Sequence, residues 1–134
     1  MVDAICPCGR RDQAGSALAY AHCCGRYVAA FETTPAPDAE ALMRSRYSAF
    51  VLERADYLLA TWYASKRPTR VSFDAGVKWL GLDVKQHQVI DADDAEVEFV
   101  ARQRDKSGRA LRLHERSRFV RDAGRWYYVD GDHK

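Results

Sequence analysis

Four cysteines, all within the first 24 residues, constrain this chain more than any other feature of its sequence. They form two close pairs, and no cysteine follows the second pair. Zinc takes four thiolate ligands at tetrahedral corners, and two pairs on opposite sides of a loop supply them with little ordering of the chain. The spacing therefore predicts a zinc knuckle with four ligands: Cys6, Cys8, Cys23 and Cys24.

Other interpretations of this segment stay open. His22 directly precedes the second pair, and because imidazole also binds zinc it is a rival for the fourth ligand position. Disulfide bonds are disfavoured, since cysteines this close in sequence bridge each other only with strain and the cytosol is reducing. A redox role lacks the Cys-x-x-Cys spacing. Gly9 and Gly25 follow the two pairs and are expected to supply the positive φ angles of tight turns around a metal.

Composition and charge narrow the class of protein. With 134 residues, of which 47% are hydrophobic, the chain is long enough for one domain with a core. The formal net charge of +2 falls to zero once four thiolates and one Zn²⁺ are counted, so a nucleic-acid partner would require a local basic patch. No apolar run can cross a bilayer and the N-terminus lacks a signal-peptide pattern, so we expect a cytoplasmic location and no membrane contact.

Two motifs and their surroundings resemble a known family. The segments CPCG and CCGR, on either side of a short helical stretch, look like the SEC-C motif, the small zinc element named for the C-terminus of the SecA translocation ATPase. The chain is similar to the YchJ-like family of bacterial proteins over nearly its whole length, through GSALAYAHCCGRYV, DAEALMRSRYSAFVLERADYLLATWY, WLGLDV and ERSRFVRDAGRWYYVDG. The resemblance implies a SEC-C knuckle followed by an NTF2-like domain, and it implies no particular activity.

The chain departs from the family pattern in two places. Its spacer from Arg10 to His22 is longer than that of the usual motif, which indicates an insertion around residues 10–15. Many relatives also carry a second cysteine cluster at the C-terminus, whereas this chain ends in Asp-Gly-Asp-His-Lys. A function that requires two knuckles is therefore not expected here.

The pattern after the knuckle predicts a group of helices. Residues 1–30 form the knuckle, and the two prolines within residues 31–37 indicate a linker to a domain at 38–134. Asp38 is a good N-cap, and apolar residues then recur at the spacing of an amphipathic helix. The predicted elements are helices at 38–53 and 55–64, a loop at 66–74 and a brief helical turn near 74–79.

Beyond Trp79 apolar residues alternate with polar ones, which is typical of strands. The alternating runs cover 80–85, 96–101, 111–120 and 126–130, and turn signals separate them at 91–94, 106–108 and 122–124. Four strands joined by hairpins after a group of helices predict an antiparallel sheet with helices on one face. The predicted fold class is α+β, and it agrees with the NTF2-like cone, helices on a curved sheet, that the resemblance implies.

A cone-shaped sheet usually encloses a pocket, and Glu115 is the first candidate for it. Its side of the strand is otherwise mostly apolar, with Leu111, Leu113 and Phe119. A buried carboxylate requires a partner, and the expected one is Arg46 or a tyrosine hydroxyl such as that of Tyr47. A structural ion pair is favoured over a pocket acid or base. The pocket candidates are Glu115, Arg46, Tyr47, Trp62 and Ser117.

Other polar and aromatic residues have ordinary explanations that we favour. His87 is expected on the polar, solvated side of its strand. The third strand carries an outward basic row, made of Arg112, His114, Arg116 and Arg118. Such a row suits phosphate or an acidic protein surface, but we favour a solvated sheet face balanced by acids, namely Glu96, Glu98 and Asp122. Core packing explains the large aromatic residues better than a stacking platform does; they are Trp62, Trp79, Trp126, Tyr127 and Tyr128.

Three classes of function remain. The first, which the SEC-C resemblance favours, is a protein-interaction or accessory module whose knuckle docks on a protein partner. The second is a small-molecule binder or enzyme with a pocket around Glu115, and only fold analogy supports it. The third is nucleic-acid or ribosome binding through the basic residues of the knuckle, which the near-neutral charge weakens. No set of nucleophile and base is recognisable, so the sequence assigns no catalytic residue.

Overall fold

A four-stranded antiparallel sheet forms the larger part of the structure, a computed structural model that describes residues 4–134. Each strand pairs with the next along the chain, in the order β1-β2-β3-β4. The strands are Lys78–Val89 (β1), Asp94–Arg104 (β2), Ala110–Asp122 (β3) and Arg125–His133 (β4). The four predicted strands are confirmed, and each is longer than its alternating run because ladder hydrogen bonds continue where the apolar pattern has ended. Residues 1–3 of the predicted knuckle lie outside the described residues.

Three short helices precede the sheet, and the longest of them packs on it. They are Gly25–Val28 (α1), Ala39–Val51 (α2) and Ala55–Ala60 (α3), and α2 contacts β1, β2 and β4. Asp38 is the N-cap of α2, as predicted, because its carboxylate accepts a hydrogen bond of 2.7 Å from Ala41 N. The chain turns out of α2 at Glu53, whose φ of 57° is left-handed. None of the helices within residues 4–134 is long and apolar enough to span a membrane.

Two predicted helical segments differ from the structure. The second helix ends at Ala60 instead of residue 64, because the chain after it pairs with β4: Tyr128 N donates to Thr61 O and Tyr63 N donates to Tyr128 O, both at 2.8 Å. The helical turn predicted near 74–79 is wrong, since the chain makes a single hydrogen-bonded turn there, in which Val77 N donates to Asp74 O at 3.2 Å, and then enters β1. The backbone groups thus find their partners in strand pairing after α3 and in a turn before β1, and not in a helix.

Residues 31–37 form no regular helix, as their two prolines predict, but they pack against the rest of the protein. Arg125 Nη1 donates to Phe31 O at 2.7 Å, and the Phe31 ring meets the ring of Tyr57 edge-on at 6.1 Å. Ala36 is buried. The cysteines and the core of the α+β part belong to one hydrophobic cluster. The segment thus holds the knuckle against the sheet and helices, while the predicted domain limits stay a prediction.

The inward face of β3 is buried in its second half only. Glu115, Ser117 and Phe119 are buried, whereas Leu111, which the alternation places on the same face, is 41% exposed. Phe119 packs edge-on against the ring of Tyr128 at 5.8 Å. Leu111 differs because it lies near the start of β3, next to the β2–β3 turn, where the strand extends beyond the core.

The large aromatic residues do not share one platform. Trp126 is buried in the core, and the others form separate edge-on pairs: Trp62 with Tyr128, Trp79 with Tyr47, and Tyr127 with Tyr63. Their distribution agrees with core packing, the explanation favoured from the sequence.

Phe119→Ala is expected to lower the free energy of unfolding by about 3–5 kcal/mol, because it leaves a cavity in the core. Leu111→Ala, on the same face of the same strand, is expected to cost about 1 kcal/mol or less, because Leu111 is 41% exposed and water can fill the space that its side chain leaves. Urea unfolding followed by circular dichroism measures both variants. Equal losses for the two variants would contradict the burial described for β3.

Candidate functional site

The four cysteine sulfurs converge on one buried point. All four lie within 4.8 Å of one another, and Cys8 Sγ is 3.6 Å from both Cys6 Sγ and Cys23 Sγ. Each cysteine is at most 3% exposed. In a tetrahedron with bonds of about 2.3 Å, the sulfurs stand about 3.8 Å apart. The residues therefore fit a closed four-thiolate metal site.

The lengthened spacer between the cysteine pairs folds into a small hairpin. Isolated antiparallel bridges join Ile5 to Ala19 and Arg11 to Ala17. At the tip Asp12 Oδ1 accepts hydrogen bonds of 2.9 and 3.0 Å from the backbone of the turn. The insertion thus lengthens the hairpin at its tip, away from the cysteines. The first cysteine pair lies at the base of the hairpin and the second pair directly precedes α1, so the two pairs still meet.

The residues beside the cysteines have different roles from one another. Gly9 has the expected positive φ, 75°. Gly25 does not, and it is needed for space instead, because a Cβ there would lie 2.7 Å from Tyr20 O. The side chain of His22 is exposed and lies outside the sulfur cluster. Among the described residues the cluster therefore consists of the four cysteines and does not include His22.

The protonation of the cluster is consistent with a bound cation. Burial, followed by the charge of Cys8, raises the pKa of Cys23 to about 12. Hydrogen bonding with Cys6 raises the pKa of Cys24, and the same pairing lowers the pKa of Cys6. Without a metal the four cysteines therefore cannot all be thiolates, because four anions this close repel one another. A divalent cation removes that obstacle and permits four thiolates.

Helix α2 supports the cysteine cluster from one side. Cys6 Sγ lies 3.6 Å from Ser48 Oγ. Arg44 donates from Nη1 to Cys8 O at 3.1 Å and from Nε to Glu40 at 2.9 Å. The cysteine cluster is thereby fixed to the helix that also lines the pocket described next.

A cavity of about 350 Å³ lies between α2 and the sheet. Its walls are largely aromatic, with rings from Phe50, Phe73 and Trp79. The structure brings together all five residues proposed from the sequence, because each of them lines this cavity: Glu115, Arg46, Tyr47, Trp62 and Ser117. Tyr128 lines the cavity as well, although the sequence pattern assigns it only to the core. The sequence signal for this position is its spacing of two residues from Trp126, which places both side chains on the same face of β4.

Glu115 is held by hydroxyl groups. It is 9% exposed, and its Oε2 accepts hydrogen bonds from Ser117 Oγ at 2.6 Å and from the Tyr128 hydroxyl at 3.4 Å. His133 Nε2 lies 3.9 Å from Oε1. A tyrosine hydroxyl is a partner, as expected, but it belongs to Tyr128. Within the described residues neither Arg46 nor Tyr47 hydrogen-bonds this carboxylate, because the neighbours on β3 and β4 reach it first.

Arg46 is a buried cation with partners on α3. It is 4% exposed, and its Nη1 donates to Leu58 O at 2.8 Å and to Thr61 Oγ1 at 2.7 Å. The guanidinium lies over the rings of Tyr128 and Trp62, at 4.6 and 5.1 Å from their centroids. Burial lowers the pKa of Arg46 to about 10, so the side chain is still charged at neutral pH.

His87 does not lie where the alternation predicts. A register shift between Val84 and Gln86 turns His87 toward α2, where its Nδ1 lies 3.8 Å from Glu40 Oε1 and its side chain is 20% exposed. Its Nε2 is buried without a hydrogen-bond partner among the described residues. The predicted solvated position is therefore wrong, because a bulge reverses which face later residues occupy.

Three of the four members of the basic row on β3 pair with acids across the sheet, in agreement with the interpretation favoured from the sequence, whereas Arg112 stands opposite Arg102 in the β2–β3 register. Glu98 pairs with His114 at 2.7 Å and with Arg116 at 2.9 Å. Arg118 pairs with two acids of β4, Asp130 at 2.6 Å and Asp132 at 2.8 Å. These two residues take the place predicted for Asp122, because the β3–β4 register puts them opposite Arg118 and Arg116.

Comparisons with known proteins agree with this architecture. The family model described as YchJ, middle NTF2-like domain, matches residues 38–131. A UPF0225 protein of Polaromonas sp. is 69% identical over 127 residues, which cover 95% of this chain and 91% of that protein.

Two solved structures, both described as SEC-C motif containing proteins, are also similar. The solution structure from Rhodopseudomonas palustris is 34% identical with a TM-score of 0.79, covering 96% of this chain and 98% of that one. The crystal structure from Psychrobacter arcticus is 30% identical with a TM-score of 0.77, covering 94% and 80%. The predicted NTF2-like fold and the SEC-C element are thereby confirmed.

Gly131→Ala is expected to lower the free energy of unfolding by about 1–3 kcal/mol. The reason is that a Cβ at this position of β4 would lie 2.8 Å from Glu115 Cδ and would push the carboxylate away from Ser117. The double variant Gly131→Ala/Glu115→Ala no longer has the carboxylate that the new Cβ would obstruct. It should therefore lose less free energy of unfolding than the sum of the losses of the two single variants. Urea unfolding of the four proteins measures the cycle, and additivity within about 0.5 kcal/mol would contradict the contact.

Proposed function

This chain belongs to the YchJ-like family of bacterial proteins, and we propose that it is a zinc-stabilised protein that binds a small, largely apolar molecule. The cavity between α2 and the sheet is the observation that carries this proposal. It combines aromatic walls with a few buried polar groups, among them Arg46 and Glu115. Its volume of about 350 Å³ lies at the small end of the range of ligand pockets, about 300–1,000 Å³.

Zinc is the metal that the four-cysteine site fits best, and its role is structural. Tetrahedral sets of four thiolates are typical of zinc or of iron–sulfur clusters. The sulfur separations of 3.6 Å suit a single ion, because they match the edges of one tetrahedron around it. All four positions are filled by protein ligands that are nearly inaccessible to solvent. A site with no open position supplies folding energy and not catalysis.

The purified protein is expected to contain about one zinc per chain, because the ligand set is that of a closed structural site. Cys23→Ser should lose the metal, whereas His22→Ala should keep it, since His22 lies outside the cluster. Elemental analysis of protein purified under reducing conditions measures this. Four freely titrating thiols and no zinc in the unaltered protein would contradict the assignment.

The pocket is expected to bind neutral aromatic probes such as indole and 2-naphthol. Amide chemical shifts measured during titration should change mainly at residues that line the cavity. Val77→Trp, which fills the cavity from its wall, should abolish these changes, whereas Val89→Trp on the exposed end of β1 should leave them intact. Shifts that are absent, or that survive Val77→Trp, would refute binding in this cavity.

Docking of the knuckle on a protein partner stays a prediction. Ile5, next to the first ligand, is 68% exposed, but single exposed apolar side chains are ordinary on proteins and do not mark an interface. Nucleic-acid or ribosome binding also stays a prediction. Two arginines of the knuckle already bind its own carbonyls, Arg11 at Gly15 O and Arg26 at Cys23 O, both at 3.0 Å. For these reasons we place the pocket first.

A further inference from the structure

The cation in the pocket wall has no anion in direct contact. Among the described residues that line the cavity, Arg46 is the one basic side chain. No carboxylate oxygen of residues 4–134 lies within 4.0 Å of its guanidinium. Buried charges in proteins are normally paired, because removing a charge from water is expensive. The charge of Arg46 is therefore incompletely compensated by the protein itself.

Glu115 does not supply the missing partner. Its Oε2 is taken by Ser117 and Tyr128, and its Oε1 lies nearest to His133. Its side chain also packs against the Cα of Gly131, where no Cβ is present to displace it. The carboxylate is thus held on the sheet by its own neighbours and is not drawn to the guanidinium on α2.

Hydrogen-bond donors remain available on the same wall. Both hydrogen bonds that Arg46 makes within residues 4–134 are donated by Nη1. Within that part of the chain the N–H groups of its other two nitrogens remain free for a further partner. The ring of Trp62 lines the cavity, and its Nε1 is buried without a hydrogen-bond partner among the described residues. A guanidinium fork matches a carboxylate in shape and charge. The free donors of the Arg46 guanidinium, with no matching acceptor among the described residues, point to a ligand that brings the acceptor.

We propose that the ligand is an aromatic or alicyclic monocarboxylate whose carboxylate lies against Arg46 and Trp62. This proposal rests on the proposed function of the pocket. The aromatic walls suit a flat apolar body. One cation favours a single negative charge over a phosphate or a diacid. The other acids of the lining, Glu53 and Asp74, are exposed at the rim, where water screens them from a carboxylate bound deep in the cavity.

Three probes with one body and different charges test the proposal: indole-3-acetate, indole-3-acetamide and tryptamine. Calorimetric titration of the zinc-loaded protein should give an affinity for indole-3-acetate at least about ten-fold above that for either of the others. Arg46→Met should remove this preference, whereas Arg109→Met, in the exposed β2–β3 turn, should retain it. In the unaltered protein the indole N–H resonance of Trp62, assigned with Trp62→Phe, should move when indole-3-acetate binds.

The wild-type comparison needs no variant, so the test holds even if Arg46→Met fails to fold. Equal or tighter binding of the amide or the amine would overturn the carboxylate assignment, and so would a preference that survives Arg46→Met. Binding of indole and 2-naphthol without binding of indole-3-acetate, indole-3-acetamide or tryptamine would also overturn the carboxylate assignment, while leaving the pocket in place. If no probe of either set binds, the proposed function itself falls.

Discussion

The attachment of the four-cysteine centre to helix α2 is the contact on which the rest of the structure depends. Cys6 Sγ lies 3.6 Å from Ser48 Oγ, and Arg44 donates to Cys8 O at 3.1 Å. Both partners belong to α2, and other residues of the same helix line the pocket. A metal bound to all four sulfurs would fix them at once, and with them the surface against which this helix packs.

Helix α2 is buried on nearly all sides, although its apolar spacing predicts an amphipathic helix with one solvated face. Three of its buried residues are polar: Ser45, Arg46 and Ser48. Each has a different partner, since Ser45 bonds the Tyr57 hydroxyl at 2.7 Å, Arg46 bonds Thr61, and Ser48 faces the knuckle. A rotation of the helix would leave all three without partners in a low-dielectric interior. These polar contacts therefore fix the orientation of α2 more sharply than apolar packing alone.

Sequence reasoning succeeded where local rules decide the structure. Cysteine spacing predicted the buried cluster of four sulfurs, the side chain of Asp38 marked the start of α2, and turn residues separated the four strands. It failed where register or distant pairing decides. The bulge in β1 reversed the side on which His87 lies, and only the β3–β4 pairing brings Tyr128 to Glu115. Neither a bulge nor the choice of a cross-strand partner is written in the alternation of apolar and polar residues.

The separation of the two buried charges explains how a largely apolar cavity can hold both a cation and an anion in its walls. The sheet holds the anion, because Ser117 and Tyr128 supply hydroxyls to Glu115 from β3 and β4. The helices hold the cation, because the end of α3 supplies the acceptors of Arg46. Moving either charge to meet the other would break hydrogen bonds that a buried group needs. The cavity stays open between them because each charge is anchored on its own layer of the fold.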